Sequence, residues 1–90
     1  MVEEKTRPSA NKEDSLTEVK DLILYNDDVN TVDFVIESLV EVCKLASDQA
    51  EQCTLIVHYR GYCAVKSGYV SELKPMVNAL SERGLTAELK

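Results

Sequence analysis

The side chains from which most enzymes are built are scarce in this sequence. It holds a single histidine, His58, and has neither a glycine-rich phosphate loop nor a G-x-S-x-G turn. A thiol nucleophile would have to pair Cys53 or Cys63 with His58. Cys53 precedes His58 by five positions on one expected helix, so the two side chains diverge by ~140°. Catalysis is therefore not expected. The spacing Cys53-x4-His58-x4-Cys63 lacks the short C-x2–4-C knuckle with which zinc sites aim two thiolates at one ion. The run Asp28-x-Asn30-x-x-Asp33 lacks the central glycine and distant bidentate glutamate of a calcium loop. No metal and no cofactor is expected. Cys43, Cys53 and Cys63 are an odd number and are read as free thiols buried like small apolar residues.

Basic clusters are also missing. Ten basic against sixteen acidic side chains give a net charge of -6, a field that repels a phosphate backbone and excludes nucleic acid as a partner. The longest apolar runs, such as Leu22-Ile23-Leu24-Tyr25, fall far short of the ~20 residues of a spanning helix, so no membrane contact is expected. The first residues, Met1 to Pro8, contain no apolar stretch of the secretory type, which points to the cytoplasm.

What is present is one domain's worth of patterned chain: 90 residues, 44% of them apolar. Residues 1–18 are polar, mixed in charge and without apolar periodicity, and are expected to be a flexible extension; residues 19–90 are expected to form the core. Val19 to Asn26 reads as a strand that ends in the turn-forming Asn26-Asp27-Asp28. Asn30 or Thr31 can cap the next helix, whose stripe is Val32, Val35, Ile36, Leu39 and Cys43, with Asp33, Glu37 and Glu41 on a solvated face. After a break at Leu45-Ala46-Ser47, with Ser47 as the expected N-cap, a second helix runs to about Tyr59 with Ala50, Cys53, Thr54 and Val57 inward, and Gly61 stops it. Tyr62 to Lys66 is a strand ending at Ser67-Gly68. A third helix spans about Val70 to Arg83 with Leu73, Met76, Val77 and Leu80 inward, and Pro75 fits it only near the first turn. Gly84 closes that helix and Leu85 to Leu89 is a last strand. The expected fold is α+β, a small antiparallel sheet with helices on one face, in the order β-α-α-β-α-β.

One cluster has chemistry in it. Asn26, Asp27 and Asp28 stand at a strand-to-helix corner, and the apolar Val32 and Val35 follow. Such a corner could hold a cation with a carboxylate and neutral oxygens while an apolar substituent enters a groove. A capped turn with solvated acids would read the same way.

The string Leu24-Tyr25-Asn26-Asp27-Asp28-Val29-Asn30-Thr31-Val32-Asp33-Phe34-Val35 resembles the first signature of the ClpS family of protease adaptors. Leu55-Ile56-Val57-His58-Tyr59-Arg60-Gly61 resembles the second, and Met76-Val77-Asn78 followed by Leu85 matches further on, so that the likeness covers roughly Lys20 to Leu89. The resemblance implies an adaptor, probed by no catalytic step, that binds proteins whose first residue is bulky and apolar. It passes them to a Clp AAA+ unfoldase of the ClpA or ClpC type. It assigns Asn26, Asp27 and His58 to the substrate's α-ammonium and first peptide, and Asn30, Val32, Val35, Thr54, Val57 and Leu85 to the side-chain pocket. Val32 and Thr54 stand where many relatives carry Met. Between His58 and Met76 the chain is shorter than common relatives by about two residues, which leaves Glu72 and Lys74 as candidates for contact with the unfoldase. The extension would take part in delivery, and a monomer is expected. The same outline also resembles the C-terminal domain of the ribosomal stalk protein, a non-catalytic interaction module, which lacks the Asn-Asp-Asp and Val-His pair.

Overall fold

The computed structural model describes residues 17–90. Except for Thr17 and Glu18, the expected N-terminal extension lies outside the described residues. Strand β1 (Val19–Tyr25) is followed by helices α1 (Val32–Cys43) and α2 (Ser47–Arg60), strand β2 (Tyr62–Tyr69), helix α3 (Val70–Glu82) and strand β3 (Thr86–Leu89). Both outer strands pair antiparallel with β1 in the order β2-β1-β3, giving the expected α+β architecture.

Alternation along β1 decides which face is covered. Leu22 and Leu24 are buried, whereas Ile23 and Tyr25, on the opposite face, stay partly open. Onto the Leu22–Leu24 face pack Leu39 and Cys43 of α1, Ala50, Cys53 and Val57 of α2, Leu73 and Leu80 of α3, and Leu85. Burying each leucine contributes about 1.5–3 kcal/mol, and the core is continuous across all three helices. Among the described residues no helix is long and apolar enough to cross a membrane.

Several local expectations are corrected. Strand β2 does not stop at Ser67-Gly68 but runs to Tyr69, because Asp21, Lys20 and Val19 of β1 continue the ladder opposite Ser67, Gly68 and Tyr69. The Ser67 hydroxyl donates to the Asp21 carboxylate across that extension. The register slips between Leu22 and Ile23, leaving Val65 as an extra residue that is turned into the core. Ser47 is not the N-cap of α2: the Ala46 carbonyl already accepts from Ala50 N at 2.8 Å, so Ser47 is the first helical residue and Ala46 caps without a side-chain bond. Pro75 lies at the sixth position of α3, beyond the first turn. Its missing N–H leaves the Ser71 carbonyl without the usual helical donor, on an exposed stretch where water can supply one. Helix α1 buries Ser38, which the apolar stripe did not include, and Arg83 donates to its hydroxyl at 3.3 Å while pairing with Glu41 at 2.6 Å. Val32, placed in that stripe, is instead 47% exposed.

Candidate functional site

The end of β1 and the start of α1 are fixed by a short set of bonds. Asn26 N donates to the Gly61 carbonyl at 2.9 Å, which holds the corner against the end of α2. Gly61 can present that carbonyl because it ends α2 at φ 100°, a left-handed conformation that costs glycine little. Thr31 caps α1, its hydroxyl oxygen accepting from Phe34 N at 3.1 Å.

Between these anchors Asp27 organises the turn. Its Oδ1 accepts from Val29 N at 2.9 Å and from Asn30 N at 2.8 Å, and its Oδ2 accepts from Asn30 Nδ2 at 3.0 Å. Asn30 Nδ2 also donates to the Gly84 carbonyl at 3.0 Å, so the acidic corner is tied to the turn that delivers Leu85. Partial burial pushes the Asp27 carboxyl up, but the three hydrogen bonds from Asn30 and Val29 together outweigh it and hold the group below its ordinary value. The folded chain thus holds this proton less tightly than the unfolded chain. The resulting stabilisation is complete at neutral pH and is lost as pH falls from about 4 through the depressed folded value. Thermal melts across that range should show the wild type losing more melting temperature than Asp27→Asn. Parallel curves would mean the carboxylate adds nothing to the fold.

A cavity of about 360 Å³ opens beside this corner. Asn26, Asp27, Asn30, Val32, Val35, Thr54, Val57, His58 and Leu85 all line it. Asp28, the last residue of the acidic corner, lines it too, as do Leu24, Tyr25 and Thr31, which the sequence did not mark as pocket residues. These three lie within the Leu24–Val35 string on either side of Asn-Asp-Asp, so a reading that treated the whole string as one wall would have found them. Glu72 and Lys74 are not among the lining residues; both are exposed on the first turns of α3.

The polar pole of the cavity is the corner itself, where Asn26, Asp27 and Asp28 follow β1 and His58 comes from the last turn of α2, whose closing Gly61 accepts from Asn26 N; Asn30 and Thr31 add further polar lining. At the polar pole, the Asn26 side-chain amide, the Asp28 carboxylate and the His58 ring have no hydrogen-bonding partner among the described residues, although His58 meets Tyr59 edge-on at 5.5 Å. The walls are Val32 and Val35 from α1, Thr54 and Val57 from α2, and Leu85. Thr54 spends its hydroxyl on the Ala50 carbonyl at 2.8 Å, which leaves its methyl as the group it offers. Four of the five wall residues are β-branched and stiff at χ1, so the cavity is preformed rather than closed by flexible side chains. Such an arrangement can hold a cation bearing an apolar substituent. Among the described residues no three His, Cys, Asp or Glu side chains converge as metal ligands would.

The model of the family described as ATP-dependent Clp protease adaptor protein ClpS matches residues 17–88. The chain is 37% identical over 65 residues to the ATP-dependent Clp protease adapter protein ClpS of Nitratidesulfovibrio vulgaris, a match that covers 69% of this chain and 65% of that protein. It is 38% identical over 55 residues to the protein of the same name from Neisseria meningitidis, covering 59% of this chain and 53% of the relative. The matched stretch thus spans less than two thirds of the length of these curated relatives. Among solved structures, the fold is similar to that of Agrobacterium tumefaciens ClpS2 bound to L-phenylalaninamide, with a TM-score of 0.69 at 20% identity over 82% of this chain and 96% of the other.

Proposed function

This chain belongs to the ClpS family of ATP-dependent Clp protease adaptor proteins, and from that premise we propose that it captures proteins by a free amino terminus carrying a bulky apolar first residue. The captured protein is then handed to a Clp AAA+ unfoldase. The observation that carries this reading is the joining, in one preformed cavity, of polar groups from the Asn26–Asp28 corner and His58 with short apolar walls. An α-ammonium offers three donors. The Asn26 amide oxygen, a neutral His58 imidazole and the Asp27 carboxylate would supply acceptors for them. Charge-assisted bonds contribute about 1.5–3 kcal/mol each, and burying a large apolar side chain a similar amount. After the costs of association, a micromolar complex follows. The chemistry is recognition and delivery, with no bond made or broken.

The first side chain of the substrate would sit among Asn30, Val32, Val35, Thr54, Val57 and Leu85. That the ClpS2 relative was solved with phenylalaninamide supports an aromatic occupant. Fluorescence anisotropy with peptides that differ only at the first residue tests this pocket. Phe and Leu peptides are expected to bind about 10- to 100-fold more tightly than an Ala peptide, as the buried area dictates. Equal affinities would remove the side-chain pocket from the account.

The rest of the assignment is coarser. The adaptor core is taken as residues 19–90, acting as a monomer in the cytoplasm, and residues 1–18 as an extension that serves delivery. Glu72 and Lys74, exposed on α3 and apart from the cavity lining, are the proposed contact with an unfoldase of the ClpA or ClpC type.

A further inference from the structure

Two polar ties fasten the α1 side of the cavity to the turn that leads out of α3. The first runs from Asn30, just ahead of α1, to the Gly84 carbonyl at 3.0 Å. The second is made by Arg83, one residue earlier in that turn. Its guanidinium donates through Nη1 to the Ser38 hydroxyl at 3.3 Å and through Nη2 to Glu41 at 2.6 Å. Ser38 and Glu41 are three positions apart on α1 and so stand side by side, where the two arms of one planar fork reach both. The Arg83 backbone is itself fixed, its N–H donating to the Ala79 and Leu80 carbonyls at 3.3 and 3.1 Å. The Leu80 carbonyl also accepts from Leu85 N at 3.0 Å. The guanidinium thus holds α1 at a set distance from a turn that is locked to the end of α3.

We propose that Arg83 is a positioning residue for peptide selection. By spanning Ser38 and Glu41 it fixes the gap between the α1 wall of the cavity and Leu85, and so sets how strongly a bulky apolar first residue is preferred. Arg83 is not among the lining residues, yet the elements it joins supply them: Val32 and Val35 come from α1 and Leu85 from the turn. The energetics set this tie apart from ordinary stabilisation. The Arg83 and Glu41 side chains are 31% and 51% exposed, and ion pairs so placed contribute little to folding. Ser38, by contrast, is fully buried, where a hydroxyl needs a partner, and Arg83 reaches in to supply it. What the arrangement secures is the place of α1. Without it, Asn30 alone ties the two walls by a side-chain bond, and a wall that stands off by roughly 0.5–1 Å forfeits a quarter to a half of its dispersion contacts. The bond from Asn26 N to the Gly61 carbonyl, which joins the acidic corner to the end of α2, involves none of these residues. The proposal rests on the peptide-capture reading and adds to it a residue outside the pocket.

The test titrates Phe-initiated, Ala-initiated and acetylated Phe peptides against the full chain by fluorescence anisotropy. Wild type is compared with Arg83→Met and with the double variant Ser38→Ala/Arg83→Met, each first shown by its thermal melt to be folded at the titration temperature. The double variant removes the buried hydroxyl together with its donor, so the tie is broken without leaving Ser38 unpartnered. In both variants the preference for Phe over Ala is expected to fall by roughly 2- to 10-fold, the share of a 10- to 100-fold preference carried by a quarter to a half of the contacts. Discrimination against the acetylated peptide should stay as in the wild type. Arg83→Lys, a point charge in place of a fork, should restore little of the lost preference. A wild-type ratio of Phe to Ala affinity in both variants would overturn the proposal and leave peptide capture standing, even if both peptides bound more weakly. Full restoration by Lys would overturn it too, as would a loss of discrimination against acetylation. If the wild type itself showed no preference for Phe, the capture reading would fail and the proposal with it.

Discussion

Asp27→Ala is expected to weaken binding of a Phe-initiated peptide by about a hundredfold while the domain stays folded. Two losses combine in that figure. The carboxylate charge next to the ammonium disappears, and with it a charge-assisted interaction of about 1.5–3 kcal/mol. The turn also loses its organiser, since the same carboxylate holds Val29 N, Asn30 N and Asn30 Nδ2. Asn30 in turn bonds the Gly84 carbonyl beside Leu85, so the far wall of the cavity loosens together with the polar pole. Asp27→Asn is the milder change. It keeps a side-chain oxygen for the Val29 and Asn30 N–H donors, but removes the charge and gives up the bond from Asn30 Nδ2, since its own Nδ2 is a donor, so it should cost about tenfold. Anisotropy titrations of the three proteins, each first checked by its thermal melt, decide the matter. Wild-type affinity in Asp27→Ala would mean that the carboxylate neither meets nor shapes the ligand.

Much of this arrangement is legible in the sequence because backbone and ligand demands coincide on the same residues. The run Leu22 to Tyr25 ends at Asn-Asp-Asp because a strand must stop where the chain turns, and the turn is also the polar pole. Gly61 and Gly84 end their helices in left-handed geometry, and each presents a carbonyl to the corner, one to Asn26 and one to Asn30. The family resemblance assigns Val35, Thr54 and Val57 to one pocket and all three line the cavity; Thr54 and Val57, three positions apart on α2, share one face of that helix.

What the sequence hid depends on partners far away in the chain. The extension of β2 past Ser67-Gly68 exists because β1 offers it a ladder, and local propensity at a serine and a glycine argues the other way. The slip that spares Val65 is settled by cross-strand packing, which no single strand reveals. Ser38 is polar and outside the apolar stripe, yet it is fully buried, with Arg83, 45 positions on, donating to its hydroxyl. Val32 matched the apolar period, yet its neighbours leave a cavity on that side, so periodicity mistook a pocket wall for core.

The central claim is that the polar pole reads a charged amino terminus. Acetylation tests it with the least disturbance, because it removes the positive charge and two of three donors and leaves the first side chain in place. At about 1.5–3 kcal/mol for each charge-assisted bond, loss of two of them weakens binding more than a hundredfold. One Phe-initiated peptide, titrated against the wild type with its terminus free and then acetylated, is the measurement. The account predicts micromolar binding for the free amine and none at comparable concentrations for the acetylated form. Equal binding of the two would mean that the cavity recognises the apolar side chain alone, and the reading of Asn26, Asp27 and His58 as an ammonium site would be wrong.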